Sequence, residues 1–287
     1  MDDVWKFKEQ INSDDLENKR AQLQNSDIKN FNFEINDEII ANSALVIKDL
    51  TKKFGTQYAV NHISFAVPKG SFYGLVGPNG AGKTTTISMV AKLLTKSAGK
   101  IYINGIDIDA DSDVTNFIGV MPDGMRLFDR LTGLELLTYN GLLRGMSKEE
   151  TIVRAKELLK ILDLDREDTK IVSNYSAGMT KKITLACAMI HAPKLLILDE
   201  PFEAVDPVSV SKIKKLLNQY INNGGTIILS SHVMALVEQL CTHVAVMNKG
   251  KIVAAGAVEE VASGSSLEDK FIELVGSNVE VEELGWL

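Results

Sequence analysis

The chain has 287 residues, of which 45% are hydrophobic and 24% charged, and its formal net charge is −7. This length is sufficient for one large or two small globular domains with a substantial core. The acidity argues against a nucleic-acid partner, because binding to a phosphate backbone needs a basic surface. Residues 1–8 lack the pattern of a signal peptide, and charged or polar residues soon interrupt every apolar run. These features predict a cytoplasmic protein without a spanning helix.

Residues 1–43 are predicted to form an acidic extension that is separate from the domain that follows. The first 44 residues carry ten acidic and five basic side chains among scattered apolar ones. This composition fits either a docked appendage with a short amphipathic helix over residues 14–23 or a disordered tail. A docked extension would brace a dimer or contact a partner, and the sequence leaves this choice open.

The first predicted strands lie at residues 45–47, 63–67 and 71–76. The third runs into a glycine-rich turn and then into a helical pattern over residues 84–94, which is a strand, loop and helix unit. A further strand at residues 101–103 ends in the turn Asn104-Gly105.

A mostly helical insert is predicted for residues 125–192. Within it, residues 149–162 are strongly amphipathic and follow the candidate helix cap Ser147. Buried strands return at residues 195–198, 226–230 and 244–247, and the last of these turns back into residues 252–253. Continuous apolar runs separated by helices predict an α/β fold whose mainly parallel sheet is covered on both faces.

A phosphate-binding loop is predicted between the third strand and its helix. The residues that fit the pattern G-x-x-x-x-G-K-[ST] are Gly77, Pro78, Asn79, Gly80, Ala81, Gly82, Lys83 and Thr84. The loop's backbone N–H groups and the helix start are suited to phosphate. We expect Lys83 to reach the β- and γ-phosphates, Thr84 to bind Mg²⁺, and Thr85 to lie against the α-phosphate.

Two adjacent carboxylates, Asp199 and Glu200, end the apolar run of residues 195–198. Sites of α/β proteins form at this edge of the sheet. There Asp199 can hold Mg²⁺ through water, and Glu200 can orient or deprotonate an attacking water. A solvated acidic pair would be an equal alternative if it stood alone. Beside the phosphate loop, the pair predicts a nucleotide site.

Four further motifs resemble those of the ABC ATPases. Tyr175-Ser176-Ala177-Gly178-Met179, followed by Lys181-Lys182, resembles the signature loop of that family. Asp206-Pro207 resembles the D-loop, and His232 resembles the switch histidine. Phe54 stands where the family stacks an aromatic ring on adenine. All motifs occur in the family's order and spacing over residues 44–275.

The resemblance implies an ABC ATPase domain over residues 44–287. Its fold would be a P-loop NTPase (RecA-like) core with an antiparallel β subdomain and the helical insert. Residues 126–133 and 266–274 resemble ATPase subunits of ABC-2-type exporters. The family hydrolyses ATP with Mg²⁺ in a dimer, where Ser176, Ala177 and Gly178 face the γ-phosphate held by the other subunit, with Asp206 at the same interface. Such a subunit lies on the inner face of the membrane, beside a separate permease.

Three positions depart from the family pattern. Asp123 stands where a glutamine normally serves Mg²⁺ and water, and a carboxylate, although shorter and charged, can still bind the metal or accept a hydrogen bond from water. We hypothesise that Asp123 supports slower or differently coupled turnover, which an Asp123→Gln variant would test. Ala177 replaces a glycine and Met179 a glutamine in the signature loop, while Ser176 and Gly178 are retained.

Two other functions compete with a transporter ATPase. One is a soluble ABC ATPase that acts on the ribosome or on DNA, although this chain has neither tandem ATPase halves nor long coiled insertions, and its acidity disfavours nucleic acid. The other is a regulatory nucleotide-binding module with negligible turnover, which the presence of Glu200 and His232 disfavours. The sequence leaves open the cargo, the direction of transport and whether the partner ATPase is a second copy or a different chain.

Overall fold

The computed structural model describes residues 35–276, apart from residues 112, 125, 126, 129 and 168. The possible helix over residues 14–23 and most of the predicted extension lie outside the described residues. So does part of the stretch 126–133 that indicated an exporter subgroup.

The described chain contains ten strands and nine α-helices. The strands are β1 (Ser43–Phe54), β2 (Gln57–Pro68), β3 (Phe72–Val76), β4 (Ala98–Ile103), β5 (Ile106–Asp107), β6 (Ile118–Met121), β7 (Leu195–Asp199), β8 (Thr226–Ser231), β9 (His243–Asn248) and β10 (Lys251–Ala257). The helices are α1 (Asp37–Asn42), α2 (Lys83–Val90), α3 (Gly133–Leu143), α4 (Lys148–Ile161), α5 (Ala177–Met189), α6 (Pro207–Asn222), α7 (Met234–Leu240), α8 (Val258–Ala262) and α9 (Leu267–Val275).

The central sheet has the strand order β10-β9-β3-β8-β7-β6. All its neighbours pair in parallel except β10, which is antiparallel to β9. Every residue of β7 is buried, and its side chains alternate between two apolar clusters: Leu195 and Ile197 join one, and Leu196 and Leu198 the other. This arrangement confirms the predicted α/β fold, in which a mainly parallel sheet is covered on both faces.

A second, antiparallel sheet has the order β2-β1-β4-β5. Leu45 and Phe65 from this sheet share an apolar cluster with Ile87 of α2 and with Leu75 and Ile197 of the central sheet. The helix of the phosphate loop is therefore packed between the two sheets, which fixes the position of the loop at its start.

The helix after the phosphate loop ends at Val90, so the predicted extension to residue 94 is wrong. Lys92 has a φ of +57°, and the amides of Leu93 and Leu94 both donate to the Ser88 carbonyl, at 2.9 and 3.0 Å. This left-handed residue with its two backward hydrogen bonds is a C-terminal helix stop.

The predicted helical insert contains α3, α4 and α5. The Oγ of Ser147 accepts a 3.2 Å bond from the Glu150 amide, which confirms Ser147 as the cap of α4. Helices α3 and α4 are in close contact at Gly141 of α3. A Cβ there would stand only 2.4 Å from the Thr151 Cγ2 of α4. Met179 and Ile183 of α5 belong to the same apolar cluster as the central sheet, so α5 connects the insert to the sheet.

Among the described helices, none has both the length and the apolar character that crossing a bilayer requires.

A pair of leucines on α3 tests the packing of the insert. Leu137 is fully buried and Leu143 is 66% exposed. We expect Leu137→Ala to lower the free energy of unfolding by about 2–5 kcal/mol, because it removes buried methyl groups and leaves a cavity. Leu143→Ala should change it by less than about 0.5 kcal/mol. Chemical unfolding of both variants checks this, and equal effects would contradict the described packing.

Candidate nucleotide-binding site

The predicted phosphate loop turns between β3 and α2 in close contact with neighbouring backbone. A Cβ at Gly77 would stand 2.3 Å from the Met247 carbonyl oxygen. Gly82 has a φ of +108°, and a Cβ there would stand 2.4 Å from the Ala59 carbonyl oxygen. Both positions therefore require glycine, one for space and the other also for conformation.

Lys83 is the first residue of α2 and its side chain folds back over the loop. Its Nζ donates to the carbonyl oxygens of Gly77, at 2.7 Å, and Pro78, at 3.3 Å. Burial lowers the pKa of Lys83, while the charges of Glu200 and Asp199 act to raise it. The ammonium is thus held at the mouth of the loop, where its donors could pass from the carbonyls to phosphate oxygens.

Asp199 is the last residue of β7 and is 1% exposed. Its Oδ2 accepts a 2.9 Å bond from the Thr84 hydroxyl, and its Oδ1 accepts from the Ser230 hydroxyl. A hydroxyl beside a carboxylate is an oxygen donor set of the kind that Mg²⁺ prefers. The described residues contain no cluster of three or more His, Cys, Asp or Glu side chains placed to hold a metal. Thr84 and Asp199 therefore fit a Mg²⁺ that takes its remaining ligands from phosphate and water.

Glu200 follows Asp199 with a left-handed backbone, at a φ of +48°. Such a conformation costs a non-glycine residue roughly 1–2 kcal/mol. The Glu200 amide donates to the Ser230 carbonyl at 3.2 Å, and its Oε1 lies 2.9 Å from the His232 Nδ1. The strained turn thereby aims the carboxylate at the histidine that the sequence had singled out.

One cavity of about 220 Å³ brings many of the predicted residues together. Its lining comprises Ala59, Asn79, Gly80, Ala81, Gly82, Lys83, Thr84, Thr85, Asp123, Asp199 and Glu200. The Asp123 carboxylate also accepts a 2.8 Å bond from the Lys181 Nζ. One site thus contains the phosphate loop, Asp199, Glu200 and Asp123, the residue that differs from the family's glutamine.

The other predicted residues do not line this cavity. Phe54 ends β1 with 53% of its surface exposed, and the Lys52 Nζ lies 4.8 Å from its ring centroid. His232 is 53% exposed in its side chain, and its Nδ1 contacts Glu200, which lines the cavity.

The signature residues lie at the start of α5, where Ser176 is the cap. Its Oγ accepts a 3.3 Å bond from the Met179 amide. Ala177 is already helical, so it replaces a glycine without strain. A Cβ at Gly178 would stand 3.1 Å from the Ala204 carbonyl oxygen, next to the D-loop segment.

Asp206 caps α6, the helix after the D-loop segment. Its Oδ1 accepts a 2.9 Å bond from the Ser209 amide. Hydrogen bonds from the side chain and the backbone of Ser209 lower the pKa of Asp206. The two capped helix starts lie near each other but differ in character. At α6, Pro207 has no N–H and the Val208 and Ser209 amides bond the Asp206 carboxylate, so only the start of α5 is suited to an anion.

Three residues of the site were not predicted. Ala59 lines the cavity, and Ser230 and Lys181 bind the predicted carboxylates. Ser230 carries a weak sequence signal, because it lies near the end of a buried strand and pairs there with Asp199, the last residue of the neighbouring strand. The contacts of Lys181 have no signal of this kind.

Comparisons with known proteins agree on one family. The sequence profile described as "ABC transporter" matches residues 60–203. The linearmycin resistance ATP-binding protein LnrL of Bacillus subtilis is 34% identical, over 82% of this chain and 76% of its own. The bacitracin transport ATP-binding protein BcrA of Enterococcus faecalis is 35% identical, over 75% of this chain and 69% of its own. The dimeric post-hydrolysis structure of the ATP-binding cassette MJ0796 with ADP and Pi superimposes with a TM-score of 0.69 at 25% identity, over 74% of this chain and 98% of that one.

Of the histidines outside the site, His191 makes a structural contact. Its Nε2 lies 3.1 Å from the Ile118 carbonyl oxygen and so joins the end of α5 to β6. Burial, and then the charges of Arg144 and Arg154, lower the pKa of His191 to about 4.

This pKa predicts a pH dependence of stability. Between pH 6.5, about the ordinary pKa of histidine, and pH about 4, His191 is protonated in the unfolded chain and neutral in the folded chain. We therefore expect the free energy of unfolding to fall as pH falls from about 6.5 to about 4, and His191→Gln to flatten that slope. Unfolding titrations at several pH values check this. The exposed His62, changed to Gln, is the control, and identical slopes for all three proteins would contradict the prediction.

Proposed function

We propose, from the premise that this chain belongs to the ABC transporter family of ATP-binding proteins, that two copies of it close around two Mg-ATP and drive a separate membrane permease for export. The observation that carries this proposal is the shared cavity of the phosphate loop, Asp199 and Glu200. The chain's own residues account for each step in turn.

Nucleotide binding falls to the phosphate loop and its lysine. The loop's inward N–H groups and the start of α2 would hold the β- and γ-phosphates. Lys83 would exchange its bonds with the Gly77 and Pro78 carbonyls for bonds with phosphate oxygens, whose negative charge would offset the cost of burying the ammonium. Phe54, exposed at the end of β1, would stack on the adenine with its ring face.

The metal would be held by Thr84 and, through water, by Asp199. Their 2.9 Å contact and the Ser230 bond keep both oxygens in place. Mg²⁺ bound there supplies positive charge that neutralises the phosphate oxygens as charge develops on them.

Hydrolysis would be assisted by Glu200. The carboxylate accepts a proton from a water whose oxygen attacks the γ-phosphorus, while the bond from that phosphorus to the bridging oxygen of ADP breaks. The products are ADP and inorganic phosphate. His232, 2.9 Å from the Glu200 Oε1, orients the carboxylate and bonds the γ-phosphate.

The second subunit would complete each site through the starts of α5 and α6. Ser176 and the N–H groups of Ala177 and Gly178 form the anion site that faces the other subunit's γ-phosphate, and Asp206 lies beside it. Because one chain carries both the loop half and the signature half, two copies suffice for two complete sites. The dimeric cassette with ADP and Pi supports this arrangement.

The permease would contact the helical insert. Phe128 and Tyr139 are 59% and 41% exposed and meet edge-to-face, with ring centroids 5.2 Å apart. Leu142 and Leu143, which lie on α3 with Tyr139, are also exposed. Exposed aromatic side chains of this kind are typical binding anchors. Relatives named for linearmycin resistance and bacitracin transport favour export as the direction.

Catalysis is tested by single substitutions at the cavity. We expect Glu200→Gln to lower kcat for ATP about 10²- to 10⁴-fold, because the general base is lost, while nucleotide affinity is kept. Lys83→Ala should lose nucleotide binding itself. Phosphate release and titration with a fluorescent nucleotide separate these effects. The exposed Glu157, changed to Gln, is the control, and wild-type turnover in Glu200→Gln would contradict the proposed role.

Permease binding is tested at the aromatic pair. Phe128→Ser with Tyr139→Ser should weaken co-purification with a polytopic membrane protein about 30-fold or more, as the loss of an interface anchor does. ATP hydrolysis by the isolated chain should stay within about twofold. Val153→Ser, at a position 57% exposed on α4, is the matched control. Capture of the same membrane protein by all variants would place the interface elsewhere.

A further inference from the structure

Lys181, near the start of α5, joins three separate parts of the site. Its Nζ donates 2.8 Å to the Asp123 Oδ1 and 3.0 Å to the Glu200 carbonyl oxygen. It also lies 3.9 Å from the Glu203 Oε2. The Lys181 side chain is 16% exposed and the Asp123 side chain 48%, so water screens their ion pair less than a fully exposed one. Two of the ammonium's three donors make these hydrogen bonds, and the Glu203 carboxylate adds a longer ion pair.

The bond to the Glu200 carbonyl completes the support of a strained residue. With its left-handed φ, Glu200 is held through its amide by Ser230 and through its side chain by His232. Lys181 supplies the third point, and the only one of these three that comes from the helical insert. A strained conformation persists only where its surroundings over-determine it. Loss of this bond should therefore loosen the carboxylate's placement.

The hydrogen bond from Lys181 to Asp123 connects residues that line two neighbouring cavities. Asp123 lines the nucleotide cavity and also a second cleft of about 310 Å³, and Lys181 lines the second. This cleft lies between the loop after β6 and the start of α5, since Pro122, Tyr175 and Ala177 also line it. The ion pair is thus a bridge between the insert and the nucleotide cavity.

The ion pair between Lys181 and Asp123 also affects the charge balance of the nucleotide cavity. Asp123, Asp199 and Glu200 all line the nucleotide cavity, and among the described lining residues Lys83 is the single cation. A triphosphate brings further negative charge into this space. Lys181 offsets the charge of Asp123, which a glutamine at that position would not carry.

We infer that Lys181 is a positioning residue for hydrolysis: through its bonds to Asp123 and to the Glu200 peptide, it makes the placement of the catalytic carboxylate depend on the position of α5. The inference rests on the proposed role of Glu200 and deepens it. A movement of the helical insert would therefore displace the Glu200 carboxylate through the Lys181 side chain.

The kinetic test compares Lys181→Ala with Lys181→Arg and Lys96→Ala. Lys96 forms a 2.6 Å pair with Asp109 and is 20% exposed, so it matches Lys181 in burial and chemistry away from the site. We expect Lys181→Ala to lower kcat about 10- to 100-fold, while KM and the affinity for a non-hydrolysable ATP analogue change less than about threefold. Lys181→Arg should recover most of kcat, because it keeps the charge and the donors. Lys96→Ala should match the wild type.

A double-mutant cycle tests the ion pair itself. Asp123→Gln, Lys181→Gln and their combination are compared with the wild type. We express each kcat as a fraction of the wild-type kcat. Because the double variant leaves no unpaired charge, its fraction should exceed the product of the two single variants' fractions by about fivefold or more. Additive effects would show that the two residues act independently and would overturn the bridge.

Amide hydrogen exchange without nucleotide tests the bridge apart from hydrolysis. Lys181→Ala should speed exchange in segments 121–124 and 199–205, and Lys96→Ala should not. Unchanged exchange in both segments, or equal kcat in Lys181→Ala and the wild type, would overturn the inference. A wild-type chain as inactive as Glu200→Gln would instead overturn the proposed function, and the exchange result would still decide the role of the lysine.

Discussion

The buried carboxylate of Asp199 is the constraint on which the rest of the site depends. It lies at the carboxyl end of β7, where Thr84 binds one oxygen and Ser230 the other. These two bonds connect the phosphate loop's helix, β7 and β8 at one edge of the parallel sheet. A carboxylate that is 1% exposed needs such partners, because an unpaired buried charge is strongly unfavourable. The start of α2 and the carboxyl ends of β7 and β8 are therefore joined at one buried carboxylate.

The α/β fold could be predicted because its strands are apolar along their whole length. A run such as residues 195–198 has no polar face, so it must lie in a sheet covered on both sides. The end of α2 could not be predicted in this way. Leu93 and Leu94 continue the helical pattern, but a left-handed Lys92 and two bonds to the Ser88 carbonyl stop the helix at Val90. This stop is a matter of backbone geometry, on which apolar periodicity carries no information.

The candidate site was predictable where its residues are neighbours in the chain. The phosphate loop and the Asp199–Glu200 pair are such segments, and the shared cavity brings them together. Lys181 was not predictable as a partner, because its acceptors lie 58 and 19 residues away, on a loop and at a strand end. The contact depends on how α5 packs against the sheet. The left-handed turn of Glu200 is likewise set by tertiary contacts and not by its residue type.

The central claim is that ATP bridges two copies of this chain, each contributing half of every site. The most direct test is the mass in solution of the Glu200→Gln variant, measured by light scattering with and without Mg-ATP. We expect the mass of a single chain, 31.4 kDa, without nucleotide and about twice that mass with Mg-ATP. A variant that binds Mg-ATP and keeps the mass of one chain would contradict the two-copy clamp.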